Sequence, residues 1–235
     1  MSKKIAIITG ASRGIGFEAA KKFVDNHWQV INLSRTPCSL PEVKNYRLDC
    51  SQLDWFDKES TALQALVSST SQIALIHNAG ICFDNPIQKV TAEELKTTFS
   101  INVFAPVLLN QVYLPFMSPG SSILYVGSTL SEIAVKNTAS YTASKHAIAG
   151  FMKATCQDLD NSGIHTCCIC PGMTNTEMLQ ARAHHDQNLL HQFAQLQSFK
   201  RLIDPKEIAA MIYFAAENPV LNGAVIHCNL GQITG

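Results

Sequence analysis

The sequence has little charge and no excess of either sign. Its 235 residues contain 18 Lys and Arg against 18 Asp and Glu, and only 15% of the residues are charged. A chain without a net positive field is a poor candidate for binding nucleic acid. A disordered chain is excluded as well, because 46% of the residues are hydrophobic and disorder needs low hydrophobicity with high net charge. The composition therefore predicts a folded chain that buries a large core.

Long apolar runs are also missing. Only four apolar residues, 5–8, follow the opening Met-Ser-Lys-Lys, which is too short for the core of a signal peptide. No other run approaches the roughly 20 apolar residues of a membrane span. We therefore expect a cytoplasmic protein with no membrane partner. The length favours one α/β domain over residues 1–235, with two small domains as the less economical interpretation.

The eight cysteines do not indicate a disulfide framework, because the chain is long and has no export signal. Cys167, Cys168 and Cys170 lie in an apolar segment that predicts a buried strand, where a free thiol packs as a small hydrophobic group. No metal is expected. The histidine-rich stretch at 184–191 contains possible ligands, but it falls where exposed polar residues are expected in any case.

Short apolar runs alternate with longer segments of helical period. Strands without polar alternation, separated by helices, indicate a parallel sheet covered on both faces. Right-handed crossovers then produce a doubly wound, Rossmann-like α/β fold. The predicted strands are seven: 5–9, 28–33, 46–48, 73–77, 122–126, 164–170 and 224–228. The predicted helices are 14–26, 54–69, 91–117, 141–161 and 205–217.

Residues 177–203 interrupt this alternation with an amphipathic, helical pattern. An insertion at the carboxyl edge of such a sheet predicts a lid over a ligand crevice, and the alternative is an ordinary surface helix. Four apolar side chains in it suggest a substrate of some hydrophobic bulk: Leu189, Leu190, Phe193 and Phe199.

A glycine-rich loop, residues 9–16, follows the first strand and opens the first helix. Gly10 permits a tight turn, Gly14 lets the backbone approach a pyrophosphate, and Gly16 lets helix and strand pack closely. The helix N-terminus adds unpaired N–H groups and partial positive charge. The loop, with Ser12, Arg13 and Ile15, predicts a dinucleotide site; the alternative is an ordinary glycine-rich turn.

The end of the second strand bears on the choice of cofactor. A cofactor with a free adenosine ribose prefers a carboxylate there, and one with a 2′-phosphate prefers a cation. The sequence has Ser34 and Arg35 and no carboxylate, and Arg13 can add a second guanidinium. This favours NADPH over NADH, unless Arg35 is only a solvated loop residue.

Several motifs together resemble those of the short-chain dehydrogenase/reductase family, over residues 5 to about 231. They are the glycine loop 9–16, Asn-Ala-Gly at 78–80, Tyr141-x-x-x-Lys145 with Ser128 upstream, Asn102 in Ser-Ile-Asn-Val, and Pro-Gly at 171–172 followed by Thr176. The resemblance implies a catalytic set of Asn102, Ser128, Tyr141 and Lys145. It also implies cofactor contacts from Asp49, Cys50, Asn78, Ala79, Gly80, Tyr141, Lys145, Pro171, Gly172, Thr174 and Thr176.

The chemistry of this set follows from the residues themselves. Reduction of a carbonyl needs a hydride at carbon and a proton at oxygen. A free tyrosine, with a pKa of about 10, exchanges its proton reluctantly near neutrality. Lys145 lies one helical turn beyond Tyr141, so its ammonium can favour the phenolate, and Ser128 can bind the same substrate oxygen. The resemblance adds that Lys145 holds the nicotinamide ribose and that Asn102 completes a water-mediated proton relay.

Pro106 lies inside the predicted helix 91–117, which begins with a capping-box pattern at Thr91 and Glu94. Proline has no N–H, so the carbonyl four residues earlier, that of Asn102, loses its helical partner. We expect a local kink there, and we expect the main-chain oxygen of Asn102 to bind a water that leads towards Lys145.

These observations predict an oxidoreductase that acts on a small carbonyl or secondary alcohol substrate. A 3-oxoacyl carrier-protein reductase is a possible specific identity, although it needs a basic surface for its acidic carrier. Alternatives are a non-catalytic dinucleotide sensor and a structural subunit. A stripe of small residues, Ala143, Ala147, Gly150 and Ala154, either packs onto the sheet or faces another subunit. Because the family commonly pairs its fourth and fifth helices, a homodimer or homotetramer is expected.

Overall fold

Seven parallel strands form one sheet in the computed structural model, which describes residues 4–67 and 72–232. Their order is β3-β2-β1-β4-β5-β6-β7, so the strand order reverses between β1 and β4. The strands are β1 Lys4–Thr9, β2 Gln29–Ser34, β3 Val43–Arg47, β4 Gln72–His77, β5 Ser122–Val126, β6 His165–Pro171 and β7 Ala224–Cys228. The predicted doubly wound α/β fold is confirmed, and all carboxyl ends of the strands meet at one edge.

Helices connect the strands and cover both faces. They are α1 Gly14–Asp25, α2 Trp55–Gln64, α3 Ala92–Phe99, α4 Ala105–Tyr113, α5 Ala139–Asp158, α6 Glu177–Arg182, α7 Gln187–Gln195 and α8 Pro205–Glu217. The predicted helix 54–69 ends at Gln64, and its residues 68 and 69 lie outside the described residues.

Each face of the sheet has its own hydrophobic core. On one face α2, α4 and α5 contribute Trp55, Leu109 and Met152 against alternate strand residues such as Ile7. On the other face, α1 and α8 contribute side chains such as Phe23, which pack against the strand residues that alternate with those of the first face. Both faces are therefore apolar, which explains why the central strands read as continuous hydrophobic runs.

The predicted long helix 91–117 contains a wide, π-helical turn at Ser100–Phe104, between α3 and α4. The N–H of Ala105 bonds to the carbonyl of Ser100, five residues earlier. This irregularity falls where Pro106 deprives the Asn102 carbonyl of its helical partner, as the sequence predicts. Pro106 therefore interrupts a helix that otherwise continues to Phe116.

The expectation that no segment approaches the length of a membrane span was too strong. The helical run Ala92–Phe116 has a mean hydropathy of 1.3 and is long and apolar enough, by length and composition alone, to cross a membrane. Half of it is buried within the structure, where residues of α4 such as Leu109 and Val112 belong to the core. A core helix of a globular protein meets the same criterion, so the run is weak evidence for a span.

Candidate active site

The glycine loop joins β1 to α1 at the point where the strand order reverses. Gly10 and Gly14 have φ values of 71° and 55°, in the left-handed region that favours glycine. A Cβ at Gly16 would lie 2.3 Å from the carbonyl oxygen of Gly10 and 2.4 Å from Nδ2 of Asn78. The loop thus leaves no room for a side chain at Gly16, and the first turn of α1 lies directly against the backbone of the loop.

Asn78 and Thr9 hold the loop against the end of β4. The Asn78 side-chain amide donates to the carbonyls of Thr9 (3.0 Å) and Gly10 (3.1 Å). The Thr9 hydroxyl accepts from the backbone N–H groups of Asn78 and Ala79, both at 3.0 Å. The two strand ends that flank the reversal are therefore one hydrogen-bonded unit.

Asn32 positions the glycine loop, and no sequence motif identified it. It is buried on β2, and its Oδ1 accepts from the N–H of Ala11 at 3.0 Å. Its Nδ2 donates to Oδ1 of Asn45 at 2.8 Å and to the carbonyl of Thr36 at 3.3 Å. A buried amide in an otherwise apolar strand is the signal that could have revealed it, since such a group needs partners.

A cavity of about 490 Å³ lies over the N-terminus of α1. The glycine loop lines it with Ser12, Arg13 and Gly14, and the segment after β6 lines it with Thr176 and Glu177. A dinucleotide diphosphate fits this cavity for three reasons. The glycines leave space that a Cβ would fill, a helix N-terminus adjoins the cavity, and its volume is large enough. The Glu177 carboxylate lies close to Gly14, only 3.3 Å from the position of a Cβ there, and Glu18 also lines the cavity, so two acidic groups border it.

The segment after β6 is built on the predicted Pro-Gly turn. Gly172 donates its N–H to the carbonyl of Cys228 at 3.1 Å, and the Thr174 hydroxyl donates to the carbonyl of Gly172 at 3.0 Å. Thr176 caps α6, because its hydroxyl accepts from the N–H of Leu179. Of this predicted cofactor set, Thr176 lines the cavity described above, and Thr174 is buried behind it.

The residues predicted to contact the adenosine end of the cofactor lie at the carboxyl ends of β2 and β3. Ser34 is half-buried and Arg35 is exposed. Burial raises the pKa of Asp49, but hydrogen bonds from Ser51 and the guanidinium groups of Arg35 and Arg47 outweigh it, so its pKa is lowered. Burial raises the pKa of the neighbouring Cys50 thiol to about 12. Arg47 is a second cation at this end that no motif identified.

The predicted catalytic residues meet at the carboxyl ends of β4 and β5. Ser128 follows β5, and its hydroxyl lies close enough to the Tyr141 hydroxyl on α5 to lower the pKa of that phenol. Lys145 is 5% exposed, its Nζ lies 5.5 Å from the centre of the Tyr141 ring, and it donates to the carbonyl of Val126 at 2.7 Å. A Cβ at Gly80 would lie 3.7 Å from that Nζ, so the loop after β4 is in van der Waals reach of the ammonium.

The ionisation of Tyr141 differs from the sequence expectation. Burial raises the pKa of Tyr141 more than the Ser128 hydrogen bond and the nearby Arg182 charge lower it, so its net pKa lies above the usual 10. Burial also lowers the pKa of Lys145. Spacing along the helix places the ammonium near the phenol, but it does not reveal the loss of solvent around the phenol. Burial therefore favours the neutral phenol, which is the form that donates a proton.

The side chain of Asn102 is fully engaged with protein. Its Oδ1 accepts from the N–H of Ile81 at 2.9 Å, and its Nδ2 donates to the carbonyl of Ile81 and to Oγ of Ser144. Both donor hydrogens of the amide are used. The side chain thus fixes the loop after β4, and a water relay through the main-chain oxygen of Asn102 stays a prediction.

Glu94 is a positioning residue that the capping-box pattern identified only in part. The Thr91 hydroxyl accepts from the N–H of Glu94 at 3.1 Å, which is one half of the capping box. The Glu94 carboxylate accepts instead from Nδ2 of Asn85 at 2.7 Å and from Oγ of Ser140 at 3.0 Å. It therefore ties the loop after β4 to the start of α5, which carries Tyr141.

The predicted lid consists of two short helices, α6 and α7. Leu179, Ala183 and Leu190 form a small core there, with Leu189 and Phe193 packed against it. Phe199 is 69% exposed. Most of these apolar side chains contact one another, so they give no support to the expected hydrophobic bulk of the substrate.

All eight cysteines are free thiols. Cys167, Cys168 and Cys170 are buried on β6, as the sequence predicts. Within residues 4–67 and 72–232, no three His, Cys, Asp or Glu side chains are placed to hold a metal ion. His184 and His185 both have positive φ, and they end α6 rather than converge on a site.

Known proteins resemble this chain over most of its length. The family model for short chain dehydrogenases matches residues 4–187. The 3-oxoacyl-[acyl-carrier-protein] reductase FabG of Vibrio cholerae is 28% identical over 239 residues, covering 97% of each chain. Dehydrogenase/reductase SDR family member 6 of Xenopus laevis is 28% identical, covering 92% of this chain and 90% of that protein.

Solved structures show the same fold. The aldohexose dehydrogenase of Thermoplasma acidophilum superposes with a TM-score of 0.90 at 24% identity, covering 98% of this chain and 94% of that one. A 4-hydroxyisoleucine dehydrogenase solved with NADH gives 0.87 at 24% identity, covering 99% of this chain and 100% of that one. Members of the matching family bind a nicotinamide dinucleotide and act on small molecules. By its sequence, sheet and loop architecture, the chain belongs to the short-chain dehydrogenase/reductase family of oxidoreductases.

Proposed function

We propose that this protein is an NADP(H)-dependent oxidoreductase that interconverts a carbonyl and a secondary alcohol, with Tyr141 as the general acid and base. The observation that carries the proposal is the convergence of three side chains: Ser128 lies close enough to the Tyr141 phenol to lower its pKa, and the Lys145 ammonium lies 5.5 Å from the ring centre. A protein that only binds a dinucleotide has no need for this hydroxyl pair.

The residues divide the work as follows. Ser12, Arg13 and Gly14 would hold the dinucleotide, whose nicotinamide, when bound, would supply the hydride for the carbonyl carbon. Ser128 and Tyr141 both present hydroxyls to the carbonyl oxygen, and Tyr141 transfers its proton to that oxygen as negative charge develops there. Lys145 stabilises the resulting phenolate, because its ammonium lies against the same ring.

The proton returns to Tyr141 from solvent. The side chain of Asn102 is occupied by Ile81 and Ser144, so its main-chain oxygen, which Pro106 leaves without an α-helical partner, is the acceptor for a relay water near Lys145. The wide turn at Ser100–Phe104 supports this role, since π-helical turns often mark functional sites.

An assay of cofactor oxidation tests the proposal directly. The protein is mixed with NADPH or NADH and a panel of ketones and aldehydes, and absorbance of the reduced cofactor is followed. We expect turnover with NADPH on at least one compound. Tight NADPH binding without turnover on a wide panel would favour the sensor instead, and no binding in a fluorescence titration would favour the structural subunit.

Arg35 is the residue we expect to select the 2′-phosphate. Its guanidinium follows β2, no carboxylate ends that strand, and Arg47 adds charge of the same sign. Changing Arg35→Ala should raise the KM for NADPH about 10–100-fold, the value of one or two charge-assisted hydrogen bonds, and change that for NADH little. Steady-state kinetics with both cofactors measure this, with exposed Lys44→Ala on β3 as the control of equal charge. An equal effect on both cofactors would contradict the assignment.

A 3-oxoacyl carrier-protein reductase is the second candidate, because proteins of that name from Vibrio cholerae and Vibrio harveyi are among the relatives. An acidic carrier needs a basic face, and the equal counts of basic and acidic residues give this chain no net field. Turnover of a carrier-bound 3-oxoacyl thioester that exceeds turnover of the free thioester would favour this candidate.

We also propose that the active form is a homodimer or homotetramer that pairs α4 and α5. The small-residue stripe of α5 does not pack onto the sheet of its own subunit: Ala143, Gly150 and Ala154 are exposed. Phe104 and Phe151, at 43% and 41% exposure, add large apolar side chains next to α4 and on α5. Small residues permit close approach of a second helix pair.

A further inference from the structure

Arg182 connects the lid to the loop that follows β4. It is the last residue of α6, and its Nε lies 3.4 Å from Oδ2 of Asp84, a residue 98 positions away in the sequence. The Arg182 side chain is only 19% exposed, against 43% for Asp84. A guanidinium this enclosed needs acceptors, and Asp84 supplies one only at the long distance of 3.4 Å.

The Arg182 charge reaches the catalytic centre. It lies close enough to Tyr141 to lower the pKa of the phenol, and close enough to Cys82 to lower the pKa of that thiol, although burial raises both more strongly. Lys145 and Asp84 also act on Cys82. Arg182 therefore lies where the lid contacts the loop after β4, the same loop in which a Cβ at Gly80 would lie 3.7 Å from Nζ of Lys145.

Most of the donor capacity of Arg182 is unused. The contact with Asp84 uses Nε alone, and in the part of the chain that the structure describes, 4–67 and 72–232, no acceptor bonds to Nη1 or Nη2. The other ionised groups nearby are committed: Lys145 donates to the carbonyl of Val126, and the Glu94 carboxylate accepts from Asn85 and Ser140. The two terminal nitrogens of a guanidinium match the two oxygens of a carboxylate.

We propose that Arg182 binds a carboxylate of the substrate, so that the protein reduces oxo acids to hydroxy acids, or oxidises the latter. The inference rests on the proposed function and specifies its substrate class. In the reduction, the hydride forms a C–H bond at the ketone carbon, the Tyr141 proton goes to the ketone oxygen, and the carboxylate is unchanged. The lid then contributes a charge that orients the substrate, instead of an apolar cover.

Matched substrates test this charge. Straight-chain 2-, 3-, 4- and 5-oxo acids are compared with the methyl ester of each, in the wild type and in Arg182→Gln. At the best chain length, we expect Arg182→Gln to raise KM for the acid about 10–100-fold, the value of a bidentate ion pair, with kcat changed little. KM for the ester should stay within about threefold, because the ester has no charge to lose.

Two further variants separate charge from lid structure. Asp84→Asn removes the contact between α6 and the loop but keeps the cation, so it should retain the preference for the acid. Arg201→Gln removes a guanidinium that Glu207 binds at the surface (2.6 and 2.8 Å) and should change nothing. If Asp84→Asn lost the acid preference as Arg182→Gln does, Arg182 would be a lid anchor and the inference would be wrong.

Thermal melting measures binding of the acid without any need for turnover. The oxo acids, and not their esters, should raise the melting temperature of the wild type and leave that of Arg182→Gln unchanged. If no compound is turned over but this pattern is seen, the proposed reaction fails and the carboxylate site stands. A different result separates the proposals in the other direction. If acids and esters are reduced equally well, and neither shifts the melting temperature of the wild type differently from that of Arg182→Gln, the carboxylate site fails and the proposed reaction stands.

Discussion

Changing Tyr141→Phe should lower kcat for carbonyl reduction by about 10²–10⁴-fold, the range that general acid catalysis contributes. In the proposed mechanism this phenol is the proton donor beside Ser128, and burial favours its protonated form by raising its pKa above the usual value. Phenylalanine keeps the ring against which the Lys145 ammonium lies. The loss should therefore fall on proton transfer, with affinity for NADPH unchanged in a fluorescence titration.

Tyr213→Phe is the matched control. Tyr213 lies on α8, on the opposite face of the sheet from α5, and its ring packs against Phe23. The same change in chemistry at that position should leave kcat within about twofold, since surface and rim substitutions rarely exceed ~0.5 kcal/mol. Retained turnover in Tyr141→Phe would remove the general acid from the mechanism.

Gly16→Ala should both destabilise the fold and abolish cofactor binding. The added Cβ would meet the carbonyl of Gly10 at 2.3 Å, which is backbone, and Nδ2 of Asn78 at 2.4 Å, which two hydrogen bonds hold in place. Relief requires α1 to move away from the loop, which breaks the bonds from Asn78 to Thr9 and Gly10. Overpacking against backbone costs about 3 kcal/mol, or ~5–10 °C of melting temperature in a chain of this size.

The matched control for that change is Gly150→Ala on α5. A Cβ there has nothing within 4 Å, and alanine is the residue that neighbouring positions of the same stripe already carry. Within one subunit, removing glycine from a helix interior should gain up to about 1 kcal/mol in the free energy of unfolding. A second subunit packed on this stripe would reduce that gain, but NADPH binding should be unchanged in either case. If the Gly16→Ala protein melted at the wild-type temperature and still bound NADPH, the close contact between α1 and the glycine loop would not be required for stability or for binding.

The central strands were predicted from sequence to within about two residues, because both of their faces are buried. β3 was predicted at 46–48 and lies at Val43–Arg47. It is an edge strand in which Lys44, Asn45 and Arg47 are exposed. Because these residues are polar, the apolar pattern did not indicate where the strand begins. The lid was predicted as one helical segment and is two, because His184 and His185 adopt positive φ between α6 and α7. Hydrophobic periodicity does not register such a break.

The site was predictable as far as its residues lie in local motifs. The glycine loop and the Tyr141 to Lys145 spacing could be read directly, since one helical turn decides the geometry. The contacts between Arg182 and Asp84, and between Glu94 and Ser140, join residues far apart in the chain. The ionisation of Tyr141 also depends on how many elements enclose it. Neither the long-range contacts nor the burial of Tyr141 can be derived from a short stretch of sequence.

The wide turn at Ser100–Phe104 sets the rotational phase of the two helices that it joins. One inserted residue turns everything beyond it by about 100° around the helix axis. With it, Asn102 faces Ile81 and Ser144 while Leu109 and Val112 still face the sheet. A proline-to-alanine change at 106 would permit a regular helix, and a regular helix would have to give up one of these two alignments.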